Sequence, residues 1–506
     1  MNQLIPLYII LPLGAAFLIP VIGKLSNIFA KIITSLIFFL LLVLCSFYIF
    51  NTNQDTLTYM VGGWKPVDNI PIAIYLVLDG LSAIVLGIVN LIAFLSTLYA
   101  FSYIKKYTAE NNFYALLCLM VAGMNGVVLT GDLFNLYVFL EIASIASYAL
   151  VAFGIEKEEL EASFKYQVLG GMASLIILLG IGFLYWATST LNIADISVML
   201  TTTGTNKALV FIQLLLISGF GLKAAVVPFH AWLPDAHSSA PAPISSLLSG
   251  VLIKAVGIYV IARLFFNMFA PSREIALTLL VLGSLSMVVG GLMAIGQWDY
   301  KRLLAYSSIS QVGYIVLGIG IGMLVLVNKT DTKVAAFALF GALFHLINHA
   351  VFKGLLFMTA GAVEYATGIR DLRILGGLGR HLPITSASSF SGSMAISGIP
   401  PFAGFFSKLV IVIAAIYAEL YLLAFIAAAM SIVTLAYFLK YYRKLFLAKP
   451  KMGLIPIVKV PFCMNFSMVV LAIMCILLSA LMIPFVREIL ITPAVETLIN
   501  IIPMDT

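Results

Sequence analysis

The sequence predicts an all-α polytopic membrane protein with about 14 transmembrane helices, most of them near the roughly 20 residues that cross a bilayer. Three observations carry that expectation. Of the 506 residues, 62% are hydrophobic and only 10% are charged, where a soluble domain carries about 25% charged residues. The mean hydropathy is +1.12, and the apolar residues form long unbroken runs rather than the alternating segments of about ten residues that make barrel strands. Two of the runs are interrupted by proline, which removes a backbone donor and clashes with the preceding turn, so each helix breaks there.

In order, the expected spans lie at about 4–23, 28–50, 72–102, 113–130, 132–153, 162–187, 207–227, 241–266, 274–295, 300–326, 334–360, 383–418, 419–446 and 462–485. The first has no basic residues before it and reads as a retained helix rather than a cleaved signal. Gly62-Gly63 and Asn111-Asn112 read as turns between spans. The seventh span meets Pro228 five residues after Lys223. The twelfth is bent at Gly398-Ile399-Pro400-Pro401, just before Lys408. Broken helices five spans apart, each with an intramembrane lysine, suggest two inverted five-helix repeats. The expected organisation is a three-helix segment at 1–110 and a first repeat at 111–270, broken near Pro228. A second repeat follows at 271–446, broken near Pro400-Pro401, and 447–506 holds the last helix and the C-terminus.

Orientation follows from the loop bases. One set of loops holds Lys24, Lys31, Lys105, Lys106, Lys157, Lys165, Lys301, Arg302, Arg370, Arg373 and Arg380, with six more bases from Lys440 to Lys459, including Lys451. The other set holds only Lys65, Lys207, Arg263, Arg273, Lys329, Lys333 and Arg487. This bias places both termini outside a cell membrane. The net charge of +7 is spread over these short loops, so it does not indicate nucleic acid. Cys45, Cys118, Cys463 and Cys475 stand singly, without ligand spacing, so neither a disulfide framework nor a metal site is expected. There is no phosphate-binding or dinucleotide fingerprint, and no cofactor is expected in this chain.

The remaining bases, Lys223, Lys254, Lys353 and Lys408, fall inside spans. A lysine at bilayer depth costs roughly 2.5–3.5 kcal/mol on insertion scales unless it faces a partner or a cavity. Glu141, mid-span in GDLFNLYVFLEIASIASYAL, is the obvious partner for Lys223. Buried lysine is also a usable proton relay, so Lys223 and Lys254 read as acid–base groups rather than snorkelling bases. His345, His349 and Lys353 are spaced i, i+4, i+8 and share one helix face at about 6 Å per step, which suits proton hopping through water. A metal would want a glutamate or cysteine beside the histidines, and none accompanies them. Lys408 reads as the counterpart of Lys223 in the second half. Asp79 sits at the start of the third span as a cap or tether. His230, Asp235 and His237, in the polar joint after Pro228, are candidates for connecting the inner lysines to one aqueous side.

These segments resemble a known family. GDLFNLYVFLEIASIASYAL, GLKAAVVPFHAWLPDAHSSAPAPISSLLSGVLIKAVGIY, DYKRLLAYSSISQVGYI, HLINHAVFKGLLF and GIPPFAGFFSK are similar to the antiporter-like proton-translocating subunits shared by Mrp-type cation/proton antiporters, complex I and membrane-bound hydrogenases. Within the family the sequence looks most like the D subunit of the Mrp antiporters and the corresponding subunit of membrane-bound hydrogenases. The resemblance implies that Glu141, Lys223, Lys254, His345, His349, Lys353 and Lys408 form the proton path. Lysine at 408, where some complex I members carry glutamate, and the short tail after the last span argue against the large complex I branch. It also implies partner membrane subunits and protons as transported ions, and leaves open whether Na+ is moved as well. Redox chemistry, if any, would belong to a partner in a translocase of the NADH dehydrogenase or hydrogenase type. Two other readings stay open on the residues alone. One is a stand-alone secondary transporter of an organic solute. The other is a non-conducting anchor subunit of a redox complex.

Overall fold

A computed structural model describes residues 2–24, 26–51, 55–64, 73–203, 207–329, 331–449 and 457–499. Lys65 and Lys451, used above for orientation, lie outside the described residues. The helices in chain order are α1 (Leu7–Ile22), α2 (Asn27–Asn51), α3 (Gly80–Tyr103), α4 (Glu110–Leu129), α5 (Leu133–Val151), α6 (Lys157–Thr188), α7 (Ile193–Thr203), α8 (Lys207–Lys223) and α9 (Trp232–Ser239). There follow α10 (Ala242–Met268), α11 (Arg273–Ile295), α12 (Tyr300–Asn328), α13 (Thr332–Thr367), α14 (Pro383–Ser397), α15 (Ala403–Tyr417), α16 (Tyr421–Tyr442), α17 (Phe462–Leu477), α18 (Pro484–Leu490) and α19 (Thr492–Ile499). Among the described residues, 12 helices are long and apolar enough to cross a membrane. Two further apolar segments are split, α8 from α9 and α14 from α15, at the two expected breaks.

Short polar residues start the helices. Asp79, Asp132, Ser272, Asp299 and Asp331 each accept a main-chain N–H of the first turn of α3, α5, α11, α12 and α13, which satisfies donors that hydrocarbon cannot. α10, α12 and α13 form the centre and are almost wholly buried. The outer helices turn large apolar side chains outward, among them Phe17, Phe50, Phe164, Trp186 and Phe425, as a lipid-facing ring requires. α12 lies unusually close to α11. A Cβ on Gly313 would fall 2.6 Å from Met287 N, and one on Gly283 would fall 2.7 Å from Leu317 N, so only glycine lets these backbones meet.

Three local expectations are corrected. Asn111 and Asn112 do not form a turn. They lie in the first turn of α4, where Asn111 Nδ2 donates to Gly23 O and Asn27 Oδ1, both at 2.9 Å. The approach to the third span is not helical: Tyr75–Leu78 pairs antiparallel with Leu57–Met60, and α3 starts only at Gly80. The joint after Pro228 is not polar throughout. It contains α9, whose Trp232, Leu233, Ala236 and His237 are buried.

Both breaks repair their own backbone. At the first, Val226 N donates to Gly221 O at 2.9 Å, Trp232 Nε1 caps Leu222 O at 2.9 Å, and Val227 N finds Ser286 Oγ at 2.9 Å. At the second, α14 ends on Gly398 at φ +75°, and Ser397 O accepts from Ser431 Oγ at 3.0 Å. Val227-Pro228 and Pro400-Pro401 are both cis.

Candidate functional site

The candidate residues gather in two groups. The first lies between α5, α6 and α8. Lys223, the last residue of α8, is buried, and its Nζ is 3.8 Å from Glu141 Oε1. It donates to Ser144 Oγ at 2.9 Å and Tyr148 OH at 3.4 Å, so it reads one face of α5 at positions 141, 144 and 148. Ser174 Oγ of α6 donates to Glu141 Oε1. Glu141 keeps 27% of its side chain exposed, so this group opens at the edge of the chain.

The second group fills the centre. Lys254 lies in a run of π-helical turns within α10, at Leu248–Leu252 and Lys254–Ile258. Such turns widen a helix and are common at functional sites. Its Nζ donates back to Ser249 O, and Ser249 Oγ meets Ser308 Oγ of α12 at 2.7 Å. Lys353 of α13 donates to Leu304 O at 2.7 Å and to Ser307 Oγ. His345 Nδ1 bonds Ser407 Oγ at 2.9 Å, and its ring lies 6.5 Å from that of His349 and 5.5 Å from that of Tyr314. Lys408 sits over Tyr314 at 4.9 Å and donates to Ile396 O at 2.7 Å. The charges that act on His349 are those of Lys254, Lys353 and His345, and Lys408 and Lys254 act on His345. Lys254 through Ser249, and Lys353 directly, reach residues 304–308 of α12, Lys408 covers Tyr314 of the same helix, and His345 lies between Tyr314 and His349, so these five groups form one row. Between this row and the first group, the residue after α8 meets α10 closely: a Cβ on Gly257 would fall 2.7 Å from Ala224 Cβ.

The other candidates divide. His237 is fully buried, stacks on Phe357 at 4.7 Å and feels Lys353 and Lys254. His230 is half-buried beside the break. Asp235 is at the surface, held by Lys165 at 3.2 Å and Arg302 at 2.9 Å. Asp79 lies away from the row. It caps α3 through Ser82 N and pairs with Arg263 at 2.8 Å. Lys408 and Lys223 do not occupy equivalent places, because Lys408 follows its break and Lys223 precedes its own.

Sequence reasoning missed several residues. Ser307, Gln311 and Tyr314 form an i, i+4, i+7 stripe on α12 facing Lys353 and Lys408. Gln311 is fully buried, and neither amide atom has a hydrogen-bond partner among the described residues. That polar stripe in an apolar helix was a usable signal. Lys301 and Arg263, counted above as loop bases, are also corrected. Lys301 is 1% exposed and pairs with Glu364 at 2.7 Å, and Arg263 is largely buried against Asp79.

Two broken helices thus flank a buried row of titratable groups. The family model for the NADH:quinone oxidoreductase/Mrp antiporter transmembrane region matches residues 130–434, which span both breaks and the whole row. This chain belongs to the NADH:quinone oxidoreductase/Mrp antiporter family. A second model, the N-terminus of complex I chain 5, matches residues 64–114. Among relatives of the family, the N-type subunit of the NADH-quinone oxidoreductase of Desulforudis audaxviator is 37% identical over 390 residues, 76% of this chain and 74% of that protein. The D-type subunit of the Na(+)/H(+) antiporter of Alkalihalophilus pseudofirmus is 34% identical over 450 residues, 87% and 86% of the two chains. A chain of the Mrp complex from Dietzia sp. superposes with a TM-score of 0.89 at 25% identity, covering 99% of this chain and 98% of that one. A chain of the archaeal membrane-bound sulfane sulfur reductase superposes with 0.88 at 31% identity, with the same coverage.

Proposed function

We propose that this chain is a proton-translocating, antiporter-like subunit of a multi-subunit membrane complex, either a cation/proton antiporter or an ion-pumping respiratory complex. One observation carries the reading: Lys254, Lys353, His349, His345 and Lys408 are all buried and gather along the facing sides of α12 and α13, at Ser308, Ser307 and Tyr314. A merely structural core has no reason to bring five bases together, since each costs several kcal/mol at bilayer depth. Protons pass between Lys254, His349 and Lys408, with Lys353 and His345 as intermediate stations. Glu141–Lys223 is the switch at the edge, where a neighbouring membrane subunit adjoins. His237, His230 and Asp235 connect the row to one aqueous side. Protons, and Na+ in an antiporter setting, are the transported ions.

Counting each broken pair as one crossing gives 14 spans, with inverted repeats at 111–270 and 271–446 about the two breaks. The base-rich set of loops, which begins with Lys24 and Lys31 and ends with Lys459, then faces the cell interior, and both termini lie outside the cell membrane.

The test is Lys223→Ala in the assembled complex. Proton-coupled transport is lost while assembly is intact. Full transport by the variant would defeat the relay and favour the non-conducting anchor. Solute uptake by the purified chain alone would favour the secondary transporter.

A further inference from the structure

Lys301, buried, and Glu364, with 18% of its side chain exposed, are charges that the relay above does not use. Lys301 is the second residue of α12, and Glu364 lies near the end of α13, 11 residues and three turns beyond Lys353 on the same face. Lys301 Nζ also donates to Ala240 O at 3.2 Å, just past the end of α9. Glu364 Oε2 accepts from Tyr103 OH at 3.2 Å.

The pair has a wet side and a dry side. Outward, Glu364 Oε1 is 4.0 Å from Arg370 Nε, and Arg370 lines a cavity of about 310 Å³ with Glu158, Glu161, Lys165, Asp235 and Arg302. Inward lies His237, one helical turn before Ala240, fully buried and with neither ring nitrogen hydrogen-bonded among the described residues. The charges acting on His237 are those of Lys353, Lys254 and Lys301. The Lys301–Glu364 pair therefore lies between Arg370 of the charged cavity and Ala240, one turn from His237.

We propose that Glu364 and Lys301 are the gate through which protons pass from this cavity to His237 and on to Lys353. The proposal rests on the relay reading above. While both groups are charged, they hold each other, because splitting a buried ion pair strands two charges. A proton from cavity water that binds the Glu364 carboxylate releases the Lys301 ammonium. Lys301 then gives one proton to a free nitrogen of His237, leaving an amine and an imidazolium. The amine takes the proton from the Glu364 acid, and the pair closes again. One proton has moved from water to His237, and both gate groups are back in their first state.

A pair that only ties α12 to α13 would tolerate arginine at 301, which keeps the charge and the ion pair. A gate would not, because a guanidinium does not release its proton. The experiment compares Lys301→Arg, Glu364→Gln and Lys223→Ala in the assembled native complex in sealed membrane vesicles. A pH-sensitive dye reads proton movement, and thermal stability and subunit content are measured alongside. Lys301→Arg is expected to keep assembly and melting temperature and to lose transport roughly a hundredfold, the scale of a missing acid–base group. Wild-type transport by Lys301→Arg with a dead Lys223→Ala overturns the gate and leaves the relay standing. Wild-type transport by both overturns the relay and the gate with it. Should Lys301→Arg fail to assemble, Glu364→Gln decides, since its carboxamide still accepts from Lys301 and Tyr103 but takes no proton. Wild-type transport by that variant overturns the gate, and its loss supports it.

Discussion

Lys408 Nζ donates to the main-chain carbonyl of Ile396 at 2.7 Å, so a residue just after the second break closes the carboxyl end of the helix just before it. A cation is favoured there, because the unpaired carbonyls of a helix end carry partial negative charge. Lys223 is placed the other way round. It ends its own half-helix and reaches sideways to Ser144 of α5. The two lysines at the two breaks thus do different structural work.

Lys408→Met tests the dual role. The Ile396 carbonyl loses its donor, which costs about 1–3 kcal/mol for a buried acceptor, while transport falls roughly a hundredfold with the acid–base group gone. Thermal melting of the purified complex and dye-reported proton movement measure the two. A stability loss with full transport would reduce Lys408 to a helix cap.

Gln311 gives the opposite sign. Its amide nitrogen and oxygen are buried and, among the described residues, unpaired between Ser307, which bonds Lys353, and Tyr314, which lies under Lys408. A buried polar group without a partner costs about 1–3 kcal/mol on mutational scales. Gln311→Leu is therefore expected to melt at the wild-type temperature or above it. If the amide orders water between Lys353 and Lys408, the same variant slows proton movement, and Gln311→Asn restores part of the rate. A destabilised Gln311→Leu would show that the amide has a partner after all.

The all-helical membrane fold and the two proline breaks were legible because helices in hydrocarbon must be long, apolar and internally hydrogen-bonded. Lys223, Lys254, Lys353 and Lys408 were legible for the same reason, since a charge at that depth needs a cause. Ser174, Ser307 and Gln311 were not, because an uncharged polar side chain is cheap in any helix and gains a role only from what folds against it. Lys301 was misread for the converse reason. Its neighbours Asp299 and Arg302 make it look like a loop base, and only Glu364, far along the chain, buries it. The strands Leu57–Met60 and Tyr75–Leu78 are too short for their period of two to stand out from apolar surroundings.

Asp79 separates structure from transport. Its carboxylate caps α3 and holds Arg263 with both groups largely buried. Asp79→Ala strands the guanidinium and is expected to cost about 3–5 kcal/mol. The yield of assembled complex falls accordingly. Transport per assembled copy stays at the wild-type rate, because Asp79 touches no member of the row. A normal melting temperature with lost transport would place Asp79 on the proton path.

Glu141 is expected to behave in the reverse way. At 3.8 Å from Lys223 it is too far for a direct hydrogen bond, and the lysine already has Ser144 and Tyr148. The gross attraction at that distance is about 4 kcal/mol at an effective dielectric of 20, but desolvation cancels much of it, and 27% of the glutamate side chain is open. Glu141→Gln keeps an oxygen for Ser174 and is expected to shift stability by less than about 1 kcal/mol, as for a solvated pair. What it removes is the carboxylate whose charge acts on Lys223. If that charge sets when Lys223 passes its proton inward, transport collapses while melting does not move. Ser144→Ala provides the contrast, since it loosens the lysine but leaves the charge, and should slow transport only partly. Equal rates for wild type and Glu141→Gln would show that the pair is an ornament of packing and that the switch lies elsewhere.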